Sequence, residues 1–468
     1  MSRRVAKNTV ISIAGRGATM VATLVLGIAI ARALGATAFG QYGAVWALIM
    51  ILSVVGHMGT DSIVVRETAS DPSRARDLIS SAMTMRLGSA LIAYVLTLTV
   101  AALMKPDRAF LGYVAIAGLT LFASWYSLFA TYFEATLRIG TQTLITTGSA
   151  YLTLGLTLLV IFLKQGLSAI LWMAVLANFV MLTVAYLLLS RHVRPTFGRD
   201  LAVMKSVIMA SLPLAGNLFL LMFEGKLPRL ILLKVNGASI VGDYVAASQI
   251  TESLGILPQA FMLSVFPLMS FYRANQPARF EDIYRKSLRY MSAIILPLAL
   301  LVSFYSRDIL RLLYGETFVL AAPALAILAW FMFFVFISSV NFNAIIAENR
   351  QKTFFGVSLF MLVPTILLYF LLIPRYGLVG AAIAPLVQQV VFYATLLALP
   401  SMRKYGIASV GASFRPLVAT ACAAIFLYGL NTAFQGVVAF AVYVVVLVAI
   451  RGVEKGDHDL LRNMLRGT

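Results

Sequence analysis

The chain has 468 residues, of which 61% are hydrophobic and 12% charged, about half the charged share of a soluble domain. Its apolar runs reach about 20 residues, enough to cross a hydrocarbon core of about 30 Å, and the short alternating segments of a membrane β-barrel are absent. A net charge of +19 raises nucleic acid as a partner, but basic loops on one side of a membrane account for it, and no nucleic-acid partner is expected.

Polar breaks predict an all-α polytopic membrane protein of about fourteen transmembrane helices. The first six cover 8–33, 38–57, 79–104, 109–133, 143–163 and 168–190. The next six cover 204–235, 240–271, 287–304, 318–345, 353–373 and 377–399, and two more cover 413–430 and 433–450. With the N-terminus inside, the inner segments hold 25 lysines and arginines and the outer loops hold 8, leaving Arg16, Arg86, Lys226 and Arg229 within helices. That bias places both termini in the cytoplasm, and an even number of spans agrees. The opening MSRRVAK resembles the basic start of a signal peptide, but Arg16 interrupts the apolar run behind it, so the first helix is expected to be retained.

The chain also repeats itself. Residues 35–44, GATAFGQYGA, and 237–246, GASIVGDYVA, share Gly, Ala, Gly, Tyr and Ala at matching places, with Arg32 opposite Lys234 just upstream. Both are outer turns after an odd-numbered helix, and six spans separate them. An even separation makes the copies parallel, which predicts two six-helix bundles, 1–200 and 201–402, related by an axis along the membrane normal. Residues 403–468 then form two additional transmembrane helices and a cytoplasmic tail.

Several chemistries are missing. Cys422 is the only cysteine, and His57, His192 and His458 are scattered, so no metal site is expected. No glycine-rich phosphate loop ends in Gly-Lys-Ser/Thr. The connections are short, the longest inner ones lying near 58–78 and 272–286. They leave no room for the catalytic loop of a membrane glycosyltransferase, so the protein is not expected to be an enzyme.

The informative residues are the charges inside the spans. A charge near the bilayer centre costs at least about 2.5–3.5 kcal/mol, so such groups face a cavity or a partner. In the seventh helix Lys226 and Arg229 lie about 8 and 12 Å to the outer side of the midpoint near Leu221. Three residues apart, they share a face. Pro228 removes the amide that would bond the Glu224 carbonyl, and Pro213 offers a second bend, so both are candidate hinges. Arg16, in the repeat-related first helix, lies about 6 Å to the inner side of its midpoint. These three cations are candidate ligands for an anionic head group in a cavity between the bundles, with Asn178, Asn217, Asn341, Gln388 and Gln389 along the same space. Glu224 and Glu252 are candidate counter-ions for Lys226, and Glu252 is also a candidate proton or sodium site. Arg86 is expected to snorkel to the inner surface, Arg229 has the outer interface as an alternative, and His57 is expected at the inner interface.

Asn8, Arg32-Ala-Leu-Gly35, Phe39-Gly-Gln-Tyr42, Gly59, Arg66-Glu67 and Ala69 resemble the opening helices of a known family. Tyr314-Gly-Glu-Thr-Phe318, the Ala321–Leu328 run and Tyr376-Gly-Leu-Val-Gly-Ala-Ala382 resemble its later outer turns. The family is the polysaccharide transporters, the O-antigen-type flippases of lipid-linked oligosaccharides in the multidrug/oligosaccharidyl-lipid/polysaccharide exporter superfamily. The resemblance covers essentially the whole chain through diffuse Gly and aromatic turns. It implies a flippase of the bacterial inner membrane that moves undecaprenyl-pyrophosphate-linked glycan units outward by alternating access, for surface polysaccharide synthesis. It also implies membrane lipids, the polymerase and the export machinery as partners, and no cofactor beyond a coupling proton or sodium ion. Alternatives are a peptidoglycan-precursor flippase or cation-coupled drug exporter of the same superfamily and, from another class, a membrane glycosyltransferase.

Overall fold

The computed structural model describes residues 2–104, 107–198, 200–429 and 434–450; His458 and the rest of the expected tail lie outside them. The described residues are mostly helical and hold no strand. The chain forms two compact units, 1–246 and 247–468. The first contains α1 (Ser2–His57), α2 (Thr60–Ser70), α3 (Ala75–Leu103), α4 (Arg108–Gly118), α5 (Thr120–Ala123), α6 (Trp125–Ala135), α7 (Ile139–Phe162), α8 (Leu167–Ser190) and α9 (Leu201–Asn236). Helix α10 (Ala238–Leu254) crosses the boundary. The second contains α11 (Ile256–Asn275), α12 (Pro277–Phe304), α13 (Ser306–Tyr314), α14 (Ala322–Ala347), α15 (Gln351–Ala398), α16 (Arg403–Gly429) and α17 (Gln435–Ala449).

Among the described residues, eleven stretches are long and apolar enough to cross a membrane, which makes this a multi-pass membrane protein. Two of them are longer than one crossing. Helix α1 is broken at Gly35, with φ 76° and ψ 177°, and α15 at Gly377, with φ 54° and ψ −125°. Both lie in the left-handed half of the map, where glycine carries no Cβ penalty. Breaks of another kind divide α4, α5 and α6, which share one stretch from Arg108 to Ala135. There Thr120, Ser124 and Ser127 hydroxyls each donate to a carbonyl three residues back, competing with the helical ladder.

The two copies of the repeated turn have the same backbone and touch. Gly237 has φ 86° and ψ 172°, close to Gly35. A Cβ on Gly40 would fall 1.7 Å from the carbonyl oxygen of Ala238, and one on Gly242 would fall 2.1 Å from that of Ala36. Residues 36 and 238, and 40 and 242, are repeat counterparts, so the contact is reciprocal, as an isologous pair must be. Gly43 lies against the side chain of its own counterpart, Val245, marking the local two-fold.

The connections expected near 58–78 and 272–286 are largely helical, as α2 and the first turns of α12. Pro277 supplies a fixed φ at the start of α12. Glu281–Arg285 at 2.7 Å and Asp282–Lys286 at 2.8 Å stabilise its polar turns as i,i+4 pairs. Polarity had marked these segments as loops, but a helix outside the hydrocarbon can be as polar as a loop.

Within the first unit, Val64, Ile79, Met83, Leu128, Phe129, Phe133, Ile145 and Met181 form the packed centre of α2, α3, α6, α7 and α8. In the second, α16 and α17 pack on α12 through Leu300, Ala419, Ala423, Leu427, Ala439, Tyr443 and Leu447. Small alanines bring these helices close, as helix contacts in lipid require. The Tyr443 hydroxyl donates to the Ala293 carbonyl at 2.8 Å, and Ser292 and Ser413 share a 2.8 Å hydrogen bond.

Candidate functional site

The charged residues of the first unit fall into two groups at different depths. Lys226 and Arg229 ride on α9, which runs unbroken from Leu201 through Pro213 and Pro228 to Asn236. Asp200 starts it by accepting hydrogen bonds from Ala202 and Val203 amides at 2.9 and 3.1 Å. Arg229 is 7% exposed and packed beside buried Leu227 and Pro228, so it does not extend to an outer interface. Lys226 and Glu224 are half-buried, and Pro213 is exposed. Glu252 is exposed and belongs to the second unit.

Arg16 is exposed on α1, a helix packed against both α7 and α9. The Thr147 hydroxyl donates to the Gly15 carbonyl and accepts from the Thr19 hydroxyl, each at 3.2 Å, fixing α1 on α7. Depth follows from the common turn. Gly35 and Gly237 mark touching turns, and Arg16 lies 19 residues from one while Lys226 and Arg229 lie 11 and 8 from the other. At 1.5 Å per residue those intervals are about 28, 16 and 12 Å. Arg16 is therefore about 12–16 Å further from the turns than the α9 cations. That interval separates the backbone levels of Arg16 and of Lys226 with Arg229.

A second constellation surrounds Arg86. Snorkelling was expected, but Arg86 is 1% exposed and all of its nitrogens are used. Nε and Nη2 donate to Thr60 Oγ1 at 3.0 and 2.8 Å, Nη2 also to Asp61 Oδ1 at 2.7 Å, and Nη1 to Ser127 Oγ at 3.3 Å. A buried guanidinium needs this much compensation. The fork pulls α2 and α6 onto α3, and Ser89 adds a bond to the Gly56 carbonyl at 2.7 Å. His57 closes the second arm of α1 with Nδ1 2.8 Å from the Ser53 carbonyl.

Asp61 neutralises Arg86 with one oxygen and remains 38% exposed. Its other oxygen accepts only a 3.5 Å contact from Ser127. Ser127 and Glu134 are seven residues apart on α6 and so share a face. Glu134 is exposed and lies within electrostatic range of both Asp61 and Arg16. Glu134 thus feels the charge of both Arg16 and Asp61, two carboxylates and a cation of which only Arg16 is a candidate in the sequence. Their signal was available: Ser127 and Glu134 have helical spacing, and Asp61 opens a helix after a glycine.

Of the polar residues expected along a cavity, Asn341 is 1% exposed and satisfied inside the second unit, so it lines no open space. It accepts from the Tyr284 hydroxyl at 2.7 Å and donates to Tyr393 and Ser409 oxygens at 3.2 and 3.0 Å. Gln388 is 9% exposed, and Asn178 spends its amide on the Ala174 carbonyl of its own helix. Among the described residues, no three His, Cys, Asp or Glu side chains could hold a metal ion together.

This is a helical transporter-like fold with an internal repeat. It resembles the lipid II flippase MurJ in its inward closed conformation, with a TM-score of 0.72 at 15% identity over 97% of this chain and 99% of that one. The chain belongs to the polysaccharide biosynthesis protein family, which matches residues 29–323. A putative O-antigen transporter of Shigella flexneri is 31% identical over 157 residues, 33% of this chain and 37% of that protein. A probable low-salt glycan biosynthesis flippase of Haloferax volcanii is 24% identical over 147 residues, 31% of each chain. The chain thus matches about a third of the length of these relatives.

Proposed function

We propose that the protein is a flippase of the bacterial inner membrane that carries undecaprenyl-diphosphate-linked oligosaccharide units to the outer leaflet for surface polysaccharide synthesis. The observation that carries the reading is the placement of cations at two depths on neighbouring helices of the first unit, Arg16 on α1 and Lys226 with Arg229 on α9. Membership of the polysaccharide biosynthesis family and the glycan-flippase relatives support it. Arg16 takes the diphosphate at the inner level and Lys226 with Arg229 take it at the outer level, a handover rather than a single grip. Arginine suits the task because its fork matches phosphate oxygens, and lysine follows as a mobile point charge. Glu224 balances the outer cations, and Glu252 is a place for a coupling proton or sodium ion. Pro213 and Pro228 let α9 bend while its hydrogen-bonded ends stay packed.

The topology that goes with this reading has fourteen spans. Two of the eleven apolar stretches turn back at Gly35 and Gly377, and the shorter apolar helix Gln435–Ala449 adds one more. Both termini are cytoplasmic, so the Gly35 and Gly237 turns lie outside. The functional halves are 1–200 and 201–402, with 403–468 added to the second. The matched backbone at the two turns and their reciprocal contact support that division. The pathway's polymerase and export machinery are the natural recipients of the product.

The test uses proteoliposomes containing a fluorescent undecaprenyl-diphosphate oligosaccharide, with and without proton or sodium gradients. Leaflet exchange by wild type that falls at least about tenfold in Lys226→Gln/Arg229→Gln is expected, since each charged contact contributes about 1.5–3 kcal/mol. Normal exchange by the double variant overturns the diphosphate assignment. Drug–cation antiport without lipid exchange overturns the flippase reading in favour of an exporter, and exchange of lipid II alone moves it to the peptidoglycan precursor.

A further inference from the structure

The second copy of the repeated turn carries an acid that the proposed transport cycle leaves unused. Asp243 lies on α10 within the first unit, six residues past Gly237 and so about 9 Å along the helix from the turn. It is 2% exposed, and its Oδ1 is buried without a hydrogen-bond partner. It takes part in no hydrogen bond or ion pair with any described residue. The helix around it is wrapped on every side, since residues 241–246 are all buried, through more than one and a half turns. Gly242 and Val245 meet Ala36 and Gly43 of α1, and Asp243 lies about 100° round the helix from Gly242. Of its neighbours one turn away on α10, Ile240, Ala246 and Ala247 are apolar, and Ser239 is exposed.

The packed elements hold few groups that could compensate a charge there. Between residues 37 and 55 the second arm of α1 has one titratable side chain, Tyr42. Helix α10 itself adds Tyr244 and Glu252, and α9 brings Arg229 and Lys234 toward the turn. Helix α13, which meets α10 through a 3.3 Å hydrogen bond from Tyr314 to Gln249, carries Arg307, Asp308 and Arg311. None of them bonds to Asp243. An ionised carboxylate with neither water nor a partner is strongly disfavoured, and such a group neutralises instead. A metal ion is a poorer occupant than a proton, because hard cations need several oxygen ligands and no three His, Cys, Asp or Glu side chains come together among the described residues. The first copy of the turn has Gln41 at the matching position, a side chain neutral at every pH.

We propose that Asp243 is a proton-binding site, neutral while this part of α10 is wrapped and exchanging its proton with the outer solution when the helix opens to water. The protonated state stands apart from the flippase reading; the outer position of the turn and the use of the proton in transport rest on it. A proton that binds one conformation better than another shifts the equilibrium toward it. Outer acid therefore favours the wrapped conformation, and the acid couples outer pH to the cycle.

The experiment has two readouts. Infrared difference spectroscopy compares the full-length protein with Asp243→Asn in nanodiscs at about pH 7.5, where exposed carboxyls are ionised. The difference is expected to show the C=O band of a protonated carboxyl, and Asp243→Glu is expected to keep that band. No band in the difference overturns the proposal, because Asp243 is then ionised inside the wrapped helix. Should Asp243→Asn not fold, Asp243→Gln, which carries the side chain type of Gln41, is scored by the same band. Leaflet exchange is then followed in proteoliposomes as the outer pH is lowered. Between about pH 8 and about pH 6, wild type is expected to respond by at least about threefold, within the roughly tenfold per pH unit that one proton allows, and Asp243→Asn by less than about 1.5-fold. A response that survives in Asp243→Asn overturns the role of Asp243 in transport, and its loss in Glu252→Gln then gives that role to Glu252. A response that follows outer sodium at fixed pH overturns it in favour of a metal ion. Absence of exchange in wild type, with the infrared band present, counts against the flippase reading and leaves the proton site standing.

Discussion

Each unit carries a buried polar centre, and the two are built differently. In the first, a guanidinium that is 1% exposed is paired with a carboxylate that is 38% exposed, so a charge fixed inside holds another charge at an open face. In the second, Tyr284, Asn341, Tyr393 and Ser409 join α12, α14, α15 and α16 through neutral groups that are all buried and mutually bonded. A closed neutral network ties helices together and fixes their register. A charged one with an exposed member costs more desolvation than a structural tie needs. Under the proposed flippase reading the first centre belongs to substrate handling and the second to packing, and four variants probe that contrast.

The largest effect is expected at Arg86. In Arg86→Gln, Asp61 loses its partner and Thr60 loses two donors, so stability should fall by about 3–5 kcal/mol, the range for breaking one side of a buried pair. Thermal unfolding in detergent checks it. The double variant Arg86→Met/Asp61→Leu sharpens the comparison, because removing both charges should recover most of that stability. If leaflet exchange recovers with it, the centre is structural after all; stability without exchange keeps Asp61 in substrate handling.

The sequence shows how much of this was open to reading. Span positions follow from apolar length, and the Gly35 and Gly237 turns follow from a ten-residue match whose glycines need positive φ in both copies. Arg86 was misplaced because a lone cation in an apolar run looks the same whether it snorkels or is buried. Its partner is 25 residues away across a polar turn, a pairing no helical spacing encodes. Asn341 was misplaced for the mirror reason, since an amide in a span can face water or be satisfied by tyrosine and serine from three other helices. Asp61 and Glu134 sit near helix ends, where charge is common, and only the folded first unit brings Glu134 into range of both Asp61 and Arg16.

A smaller effect is expected at Asn341. Asn341→Leu strands the Tyr284 hydroxyl and removes donors to Tyr393 and Ser409, at a cost of about 1–3 kcal/mol for buried unsatisfied groups. Exchange per folded molecule at a permissive temperature should match wild type. A fall in exchange without a fall in stability would place the second centre on the transport path and remove the contrast between the units.

The smallest effect lies at the rim of the second unit and depends on pH. Glu348 follows α14 with a side chain only 5% exposed, and burial by itself would raise its carboxyl. Hydrogen bonds from Lys404 and Tyr405 and the charges of Lys404 and Arg273 outweigh that and hold it below its ordinary value of 4.5. A depressed folded value stabilises the protein above the unfolded value, and the gain is lost as pH falls through the folded one. Lys404 and Arg273 are 47% and 41% exposed, so solvent screening limits the contribution to about 0.5–1 kcal/mol. Glu348→Gln should therefore be slightly less stable than wild type at pH 7, with the gap closing as pH drops below about 4.5. Exchange should be unaffected, because these groups tie the ends of α11, α14 and α16 within the second unit and none belongs to the Arg16 face. A gap that stays constant with pH would mean that Glu348 acts through packing alone. A change in exchange that follows the same titration would instead give the second unit a charged functional element of its own.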